Sequence, residues 1–240
     1  MVFISQNGGT STTTFSLEGK RLFAADISQA NPPAAGEYFP AQAIYSAPSV
    51  AKDDHGNIWV SFGTGDRNRP LNTSTNRFYG IKDNTSMTNG GTLTESNLQQ
   101  IDSSVSSVST SIQGWYFTLA ANEKVLAQAD TFNNTVFFTT FTPESTATCG
   151  GGGGTARLYA VTLTSGMAAM DFDTGDALAN TSGSVLKSTV IGTGIPSKPA
   201  VMIDPNGNPS VITGTTSQQI SSVPAPPIAS KQLLGWREVF

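Results

Sequence analysis

The chain has 240 residues, a mass of 25.1 kDa, a formal net charge of −4 and a pI near 4.9. Its 13 Lys and Arg build no basic face, which excludes a nucleic-acid binder. One cysteine, Cys149, and one histidine, His55, exclude an internal disulfide framework, a Cys-based zinc site and a His-rich metal site.

Charged residues are 12% of the chain, so solubility falls to Ser and Thr, roughly a quarter of all residues and well above the usual share. The 24 Gly and 13 Pro predict many turns and few long helices. No run of 18 apolar residues is present to cross a bilayer as a helix. The stretch from Met1 lacks a charged n-region and an apolar h-region, so it does not read as a signal peptide. On that reading either the chain is cytosolic or its natural start lies elsewhere.

In chain order, short β-branched or aromatic runs bounded by Gly, Asn, Asp or Pro predict strands. They fall at Arg21–Ile27, Ile58–Phe62, Arg77–Ile81, Gly114–Leu119, Val136–Phe141, Arg157–Leu163, Val185–Ile191, Ala200–Ile203 and Ser210–Thr213. The Ser-rich stretch Gly91–Ser109 reads as a loop with room for one short helix. Gly150–Thr155 reads as a flexible connection beside Cys149, which is expected to be free. The predicted class is all-β.

Internal repeats carry the most information. Pro48, Gly56-Asn57, Val60 and Gly63-Thr64 recur at the same offsets as Pro199, Gly207-Asn208, Val211 and Gly214-Thr215. A shorter copy runs from Val125-Leu126-Ala127 through Asn133-Asn134 to Val136–Thr140. Each copy reads as strand, tight turn, strand, because Gly and Asn accept the left-handed backbone of hairpin turns. A second unit, Phe78-Tyr79-Gly80-Ile81, recurs as Leu158-Tyr159-Ala160-Val161, with Leu22-Phe23-Ala24-Ala25 as an earlier copy. Repeated antiparallel units that hide their edges are the mark of a β-propeller. The expectation is one propeller-like domain over 1–240 with about three blades, near 1–110, 111–190 and 191–240, forming the C-terminal part of a larger ring. An isolated part-ring leaves a sheet edge exposed, which favours association.

Four segments in order carry a family resemblance. They are Phe62–Asp66 with Phe78–Asp83; Gly114–Leu119 with Glu123–Leu126; Val136–Pro143, Cys149 and the Gly-rich run, then Arg157–Ala160; and Gly235-Trp236-Arg237-Glu238. Together these resemble the C-terminal domain of type IV pilus biogenesis and tip-adhesin proteins, the PilY family. The resemblance implies a modified, quinoprotein-like β-propeller at the end of a secreted protein, on the cell surface, at the pilus tip, or in the outer membrane or periplasm. It also implies partners: minor pilins or other pilus-tip proteins, and the N-terminal region of the parent protein. The implied role is to promote pilus extension, twitching and surface attachment through protein binding. The family's calcium loop is not found. Only Asp204-Pro205-Asn206-Gly207-Asn208 has oxygen ligands at alternate positions, and it reads as a hairpin turn. No cofactor is expected.

Catalytic readings find little in the sequence. Leu158–Gly166 also resembles the repeat of quinoprotein alcohol dehydrogenases, with Thr162 for Asp, Ser165 for Thr and Met170 in place of the docking Trp; a lone cysteine excludes their vicinal pair. His55 reads as a solvated turn residue, so no Ser–His–acid triad is expected. Glu123, Asp66, Asp171 and Asp173 are available as carboxylates, but no spacing pairs them. Asp171–Asp176 reads as an acidic turn. Gly63-Thr64-Gly65-Asp66-Arg67 lacks the Lys-Ser/Thr of a phosphate loop, and its glycines read as a sharp strand end. Trp59, Trp115, Tyr116, Phe137, Phe138 and Phe141 read as packing between blades, and Trp236 as a clasp for the last strand. The resulting expectation is a binding protein that is not an enzyme, with no catalytic, cofactor-binding or metal residue. Two alternatives stand beside it: a surface glycan- or matrix-binding propeller unrelated to pili, and an inactive quinoprotein-like scaffold for envelope assembly.

Overall fold

The computed structural model describes residues 44–71, 73, 75–83, 95–102, 105, 108–109, 111–144, 153–172, 176, 178 and 187–227. The expected strand Arg21–Ile27, Cys149, Asp173 and the Trp236 clasp lie outside the described residues. Within them the chain is all-β, in three sheets, with one turn of 3-10 helix at Glu95–Asn97.

The first sheet holds β1 (Ser49–Lys52), β2 (Ile58–Gly63), β3 (Arg77–Asp83), β4 (Gln99–Gln100) and β5 (Gly114–Thr118), in the order β1-β2-β3-β5-β4. All its pairs are antiparallel except the short β4–β5 pair. The second sheet holds β6 (Lys124–Val125), β7 (Asp130–Phe132), β8 (Thr135–Pro143), β9 (Gly154–Thr162) and β10 (Ser188–Thr193). Here β7 and β6 share one edge of β8, while β9 and then β10 follow on the other. The third sheet is β11 (Ala200–Ile203), β12 (Pro209–Gly214) and β13 (Ile220–Pro224).

The repeats seen in the sequence are the hairpins of the three sheets. In the first, Asp53 N donates to Asn57 O at 2.9 Å and Gly56, at φ +86°, donates to Asp53 O at 3.0 Å. In the third, Asp204 N donates to Asn208 O at 3.0 Å and Gly207, at φ +88°, donates to Asp204 O at 2.9 Å. Positive φ is the reason Gly recurs there. The middle hairpin turns on Asn133 (φ 46°) and Asn134 (φ 62°), a two-residue loop of the kind that matches strand twist. Its first arm is β7 and not the expected Val125–Ala127. The Gly/Asn turn sets the register, so the strand adjoining it takes the pairing, and Val125 meets β8 farther along, at Thr140.

The matching valines also point the same way. One face of the first sheet, with Trp59, Phe78, Trp115 and Phe117, packs on Val136, Phe138, Tyr159 and Val161 of the second. The opposite face of the second sheet, with Phe137, Ala156, Leu158 and Ala160, packs on Val211 and Val223 of the third. Thus Val136 and Val211 each face the preceding sheet, and Val60 faces outward, toward Ile44 and Leu98. The three sheets stack head to tail, and the middle one buries both of its faces, which water would otherwise wet.

Two expectations are corrected by packing. Gly154 and Thr155, read as part of a flexible connection, open strand β9: Gly154 sits at φ +144°, and a Cβ there would lie 2.3 Å from the Phe141 ring. Gly63 and Gly65 allow close approach, not a sharp turn. A Cβ would meet Val125 Cγ2 at 2.3 Å in one case and Val125 O at 2.7 Å in the other. The stretch read as a loop, Gly91–Ser109, contributes Glu95–Asn97 and β4 among its described residues.

Candidate interaction surface

The repeat places an Arg-x-Tyr at the same point in two sheets: Arg77-Phe78-Tyr79 in β3 and Arg157-Leu158-Tyr159 in β9. Tyr79 pairs across to Phe62, and Tyr159 to Phe138, so the rings lie on corresponding faces: outward in the first sheet, and toward the first sheet in the second. Each hydroxyl donates to a glutamate. Tyr79 OH reaches Glu95 Oε1 at 2.6 Å. Tyr159 OH reaches Glu123 Oε1 at 2.9 Å and Oε2 at 3.1 Å.

The second-sheet copy is internal. Glu123 is 1% exposed and also accepts from Thr140 Oγ1 and from Ala120 N at 3.0 Å, so both its oxygens are satisfied. Burial, reinforced by the Glu123 charge and hydrogen bond, pushes the Tyr159 phenol well above its ordinary value. The ring stacks on Phe138 at 4.7 Å and on Phe117 at 6.0 Å. Lys187 Nζ lies 4.8 Å from the Phe117 centroid, and burial lowers it to about 8 against a pull upward from Asp102. Lys124, buried completely, is likewise lowered by burial and partly held up by Asp66.

The first-sheet copy lies on the outward face of the stack. Arg77 Nη1 is 3.3 Å from Glu95 Oε1, their side chains 20% and 31% exposed, and the guanidinium lies 5.7 Å from the Tyr116 centroid. Tyr79 stacks between Phe62 at 5.1 Å and Tyr116 at 5.8 Å. Tyr116 is half-buried and its hydroxyl donates to Gln100 Oε1 at 3.3 Å. Burial first, then Glu95, raises both tyrosines. Tyr79 itself is 1% exposed, so what meets solvent here is the partly exposed Tyr116, the Arg77 guanidinium and the Glu95 carboxylate over a buried aromatic bed, a combination suited to protein contacts.

The residues singled out in the sequence are not brought together. His55 is exposed in its turn, where its backbone N donates to Asp53 Oδ1 at 2.9 Å. Asp204 accepts from the backbone N of Asn206 and of Asn208, each at 2.8 Å, and from Asn208 Nδ2 at 3.0 Å, which is the turn expected there. Asp66 caps its own turn through Asn68 N and Arg69 N, and Asp171 N donates to Asp176 O at 2.9 Å. Among the described residues no group of three or more His, Cys, Asp or Glu gathers to hold a metal. Trp59, Trp115, Phe137, Phe138 and Phe141 are all buried as packing residues. Trp115 also donates from Nε1 to Leu163 O at 2.9 Å and covers Gly166, where a Cβ would lie 2.4 Å from the indole. Trp115 therefore occupies a docking position against the Leu158–Gly166 segment, and Met170 is simply buried. Sequence reading passed over the two Arg-x-Tyr copies because the repeat unit was started one residue late. Their glutamates had no sequence signal, since Glu95 and Glu123 sit at unrelated points of the repeat.

No family model matches the chain, and no curated protein sequence does. Among solved structures, the endo-arabinase from Bacteroides thetaiotaomicron VPI-5482 matches with a TM-score of 0.34 and 13% identity, over 85% of this chain and 62% of that one. The chain therefore spans less than two thirds of that protein. The expectation that the chain is not an enzyme is corrected by this match, because the structure it aligns with is an enzyme. The physical reason is that carboxylates for glycoside chemistry come together only in three dimensions, so missing sequence spacing excludes nothing. At this similarity the match assigns no reaction, substrate or residue to the chain.

Proposed function

We propose that the chain is the C-terminal, propeller-like part of a type IV pilus assembly and tip-adhesin protein, of the PilY kind, acting at the cell surface by binding minor pilins. The observation that carries this reading is the ordered set of segments Phe62–Asp66, Gly114–Leu119, Val136–Pro143 and Gly235–Glu238. The head-to-tail stack of antiparallel meanders supports the propeller-like part, since each sheet repeats the last in the same sense. In this reading Tyr116, Arg77 and Glu95 are the contact residues offered on the outward face, with the buried Tyr79 beneath them. A stable pilin complex there would bury about 1,200–2,000 Å² in total.

The test is surface piliation counted by electron microscopy in two strains, one lacking the gene and one lacking only residues 44–227. Loss of pili in both is expected. Normal pili and normal twitching in both overturn the proposal.

A further inference from the structure

Two buried hydroxyls in the third sheet are left unsatisfied by the chain. Thr213 is 2% exposed, and neither its Oγ1 nor the buried Oγ1 of Thr215 has a hydrogen-bond partner among the described residues. Buried polar side-chain atoms in folded proteins mostly have one, and leaving one unmade carries the full cost of desolvation.

The repeat shows what is missing. Val136 and Val211 are equivalent, so Thr213 and Thr215 stand where Phe138 and Thr140 stand in the second sheet. Across the ladder Tyr159 pairs with Phe138 and Ser221 with Thr213, so Ser221 takes the place of the tyrosine. Side chains alternate along a strand, so Thr213 shares the Val211 face, which is turned toward the second sheet.

The threonine at this point is satisfied in the other two copies. In the first sheet Thr64 Oγ1 accepts from Arg77 N at 2.9 Å. In the second, Thr140 Oγ1 donates to Glu123, which lies two residues before Val125, the partner of Thr140 across the ladder. In the third, Pro196 is the partner of Thr215, and two residues before it stands Gly194. A side chain there has no room: Gly194 sits at φ +84°, and a Cβ would lie 2.7 Å from both Thr216 Oγ1 and Ser217 Oγ. Neighbouring acceptors are engaged elsewhere. Gln219 Oε1 accepts from Thr193 N at 2.7 Å, Thr216 Oγ1 from Ile195 N at 2.9 Å, and Ser197 Oγ from Gly214 N at 3.0 Å. The third sheet therefore keeps the hydroxyl of the repeat, lacks its carboxylate, and has Thr and Ser where the second sheet has two rings.

We propose that Thr213, Thr215 and Ser221 form a buried hydration site between the second and third sheets, in which ordered water accepts from Thr213 Oγ1 and Thr215 Oγ1 as Glu123 accepts from Thr140. A buried water takes about two to four polar partners, which these hydroxyls supply. A carboxylate seals one copy of the repeat and solvent seals the other.

The test is the sign of a stability change in the full chain. Thr213→Val and Thr215→Val each keep the branched shape and remove the hydroxyl. With water bound, each should lower the melting temperature by roughly 2–4 °C, because the water loses a partner. An unchanged or raised melting temperature in both variants overturns the proposal, since deleting an orphaned hydroxyl relieves its desolvation. A high-resolution crystal structure gives the second readout. Solvent density about 2.5–3.0 Å from both Oγ1 atoms is expected, and an interface dry at both hydroxyls overturns the proposal whatever the melts show.

Discussion

Tyr79 and Tyr159 are copies of one another, on equivalent strands, each donating to a glutamate and each two residues after an arginine. They differ in what lies in front of them. Tyr159 faces the first sheet, and its glutamate is sealed among Thr140, Ala120 N and the phenol. Tyr79 faces outward, and its glutamate shares solvent with Arg77. Neither tyrosine is exposed, and Tyr79 is the more buried of the two; what differs is the glutamate, sealed in one copy and partly exposed beside an arginine in the other. Position in the stack decides which, because a polar group cut off from water must be satisfied inside the protein, whereas an exposed one has water as an alternative.

Truncation of the two glutamates should separate the copies most. Glu123→Ala leaves the Tyr159 and Thr140 hydroxyls and Ala120 N without their acceptor, and should cost about 3 kcal/mol. For a chain of this length that is a fall of roughly 6–12 °C in melting temperature. Glu95→Ala should cost under ~1 kcal/mol, since water replaces the carboxylate. Equal shifts by calorimetry would show that the two environments do not differ as described.

The glycine of the repeat gives the next largest contrast. Gly80→Ala drives a methyl into the Trp115 ring and should cost about 2 kcal/mol by overpacking. Ser222→Ala, at the matching position of the third sheet, should change stability by less than ~0.5 kcal/mol. A tolerated Gly80→Ala would mean that Trp115 does not lie against β3 as described.

The two Asp turns sharpen the same point through pH. Asp53 and Asp204 make the same turn, but Asp53 is 8% exposed and also accepts from Trp59 Nε1 at 2.9 Å. Burial raises the Asp53 carboxyl, yet bonds from Asn57, Trp59 and the backbone outweigh it and hold it at about 2, against an ordinary 3.8. The folded value lies below the unfolded one, so this stabilisation is full above pH ~4 and lost as pH falls toward 2, by about 2 kcal/mol. Acid melts of Asp53→Asn should lack most of that slope. Asp204, lowered by its bonds with Asn208 but fully exposed, should contribute less when replaced in the same way.

The smallest effect lies at high pH. Lys187 is lowered to about 8 from 10.5 by burial, so between those values the unfolded chain binds more protons and stability rises with pH. The gain should be only ~1 kcal/mol, because the ammonium is partly solvated. Above pH ~10 the sign reverses, since Tyr79 and Tyr159 hold their protons longer in the folded state than in the unfolded one. Lys187→Met should flatten the rise and leave the fall; a fall that begins below pH 9 in the parent chain would contradict this assignment.

What the amino-acid sequence determined by itself is local. Asp-x-x-Gly-Asn at 53–57 and 204–208 and Asn133-Asn134 specify hairpins, because a left-handed backbone is accessible to Gly and Asn and costly elsewhere. Alternating β-branched and aromatic residues specified strands, and the valines shared by the copies take corresponding faces in the three sheets. Even β13 was missed at this level, since Ile220–Pro224 is a polar, Pro-ended run whose pairing depends on β12 already being in place. The candidate surface was less legible. Glu95 and Glu123 reach their tyrosines over 16 and 36 residues of chain, and no local pattern links them. The tertiary structure alone decided which glutamate partner is sealed and which meets solvent, because burial is a property of the neighbouring elements and not of the residues they cover.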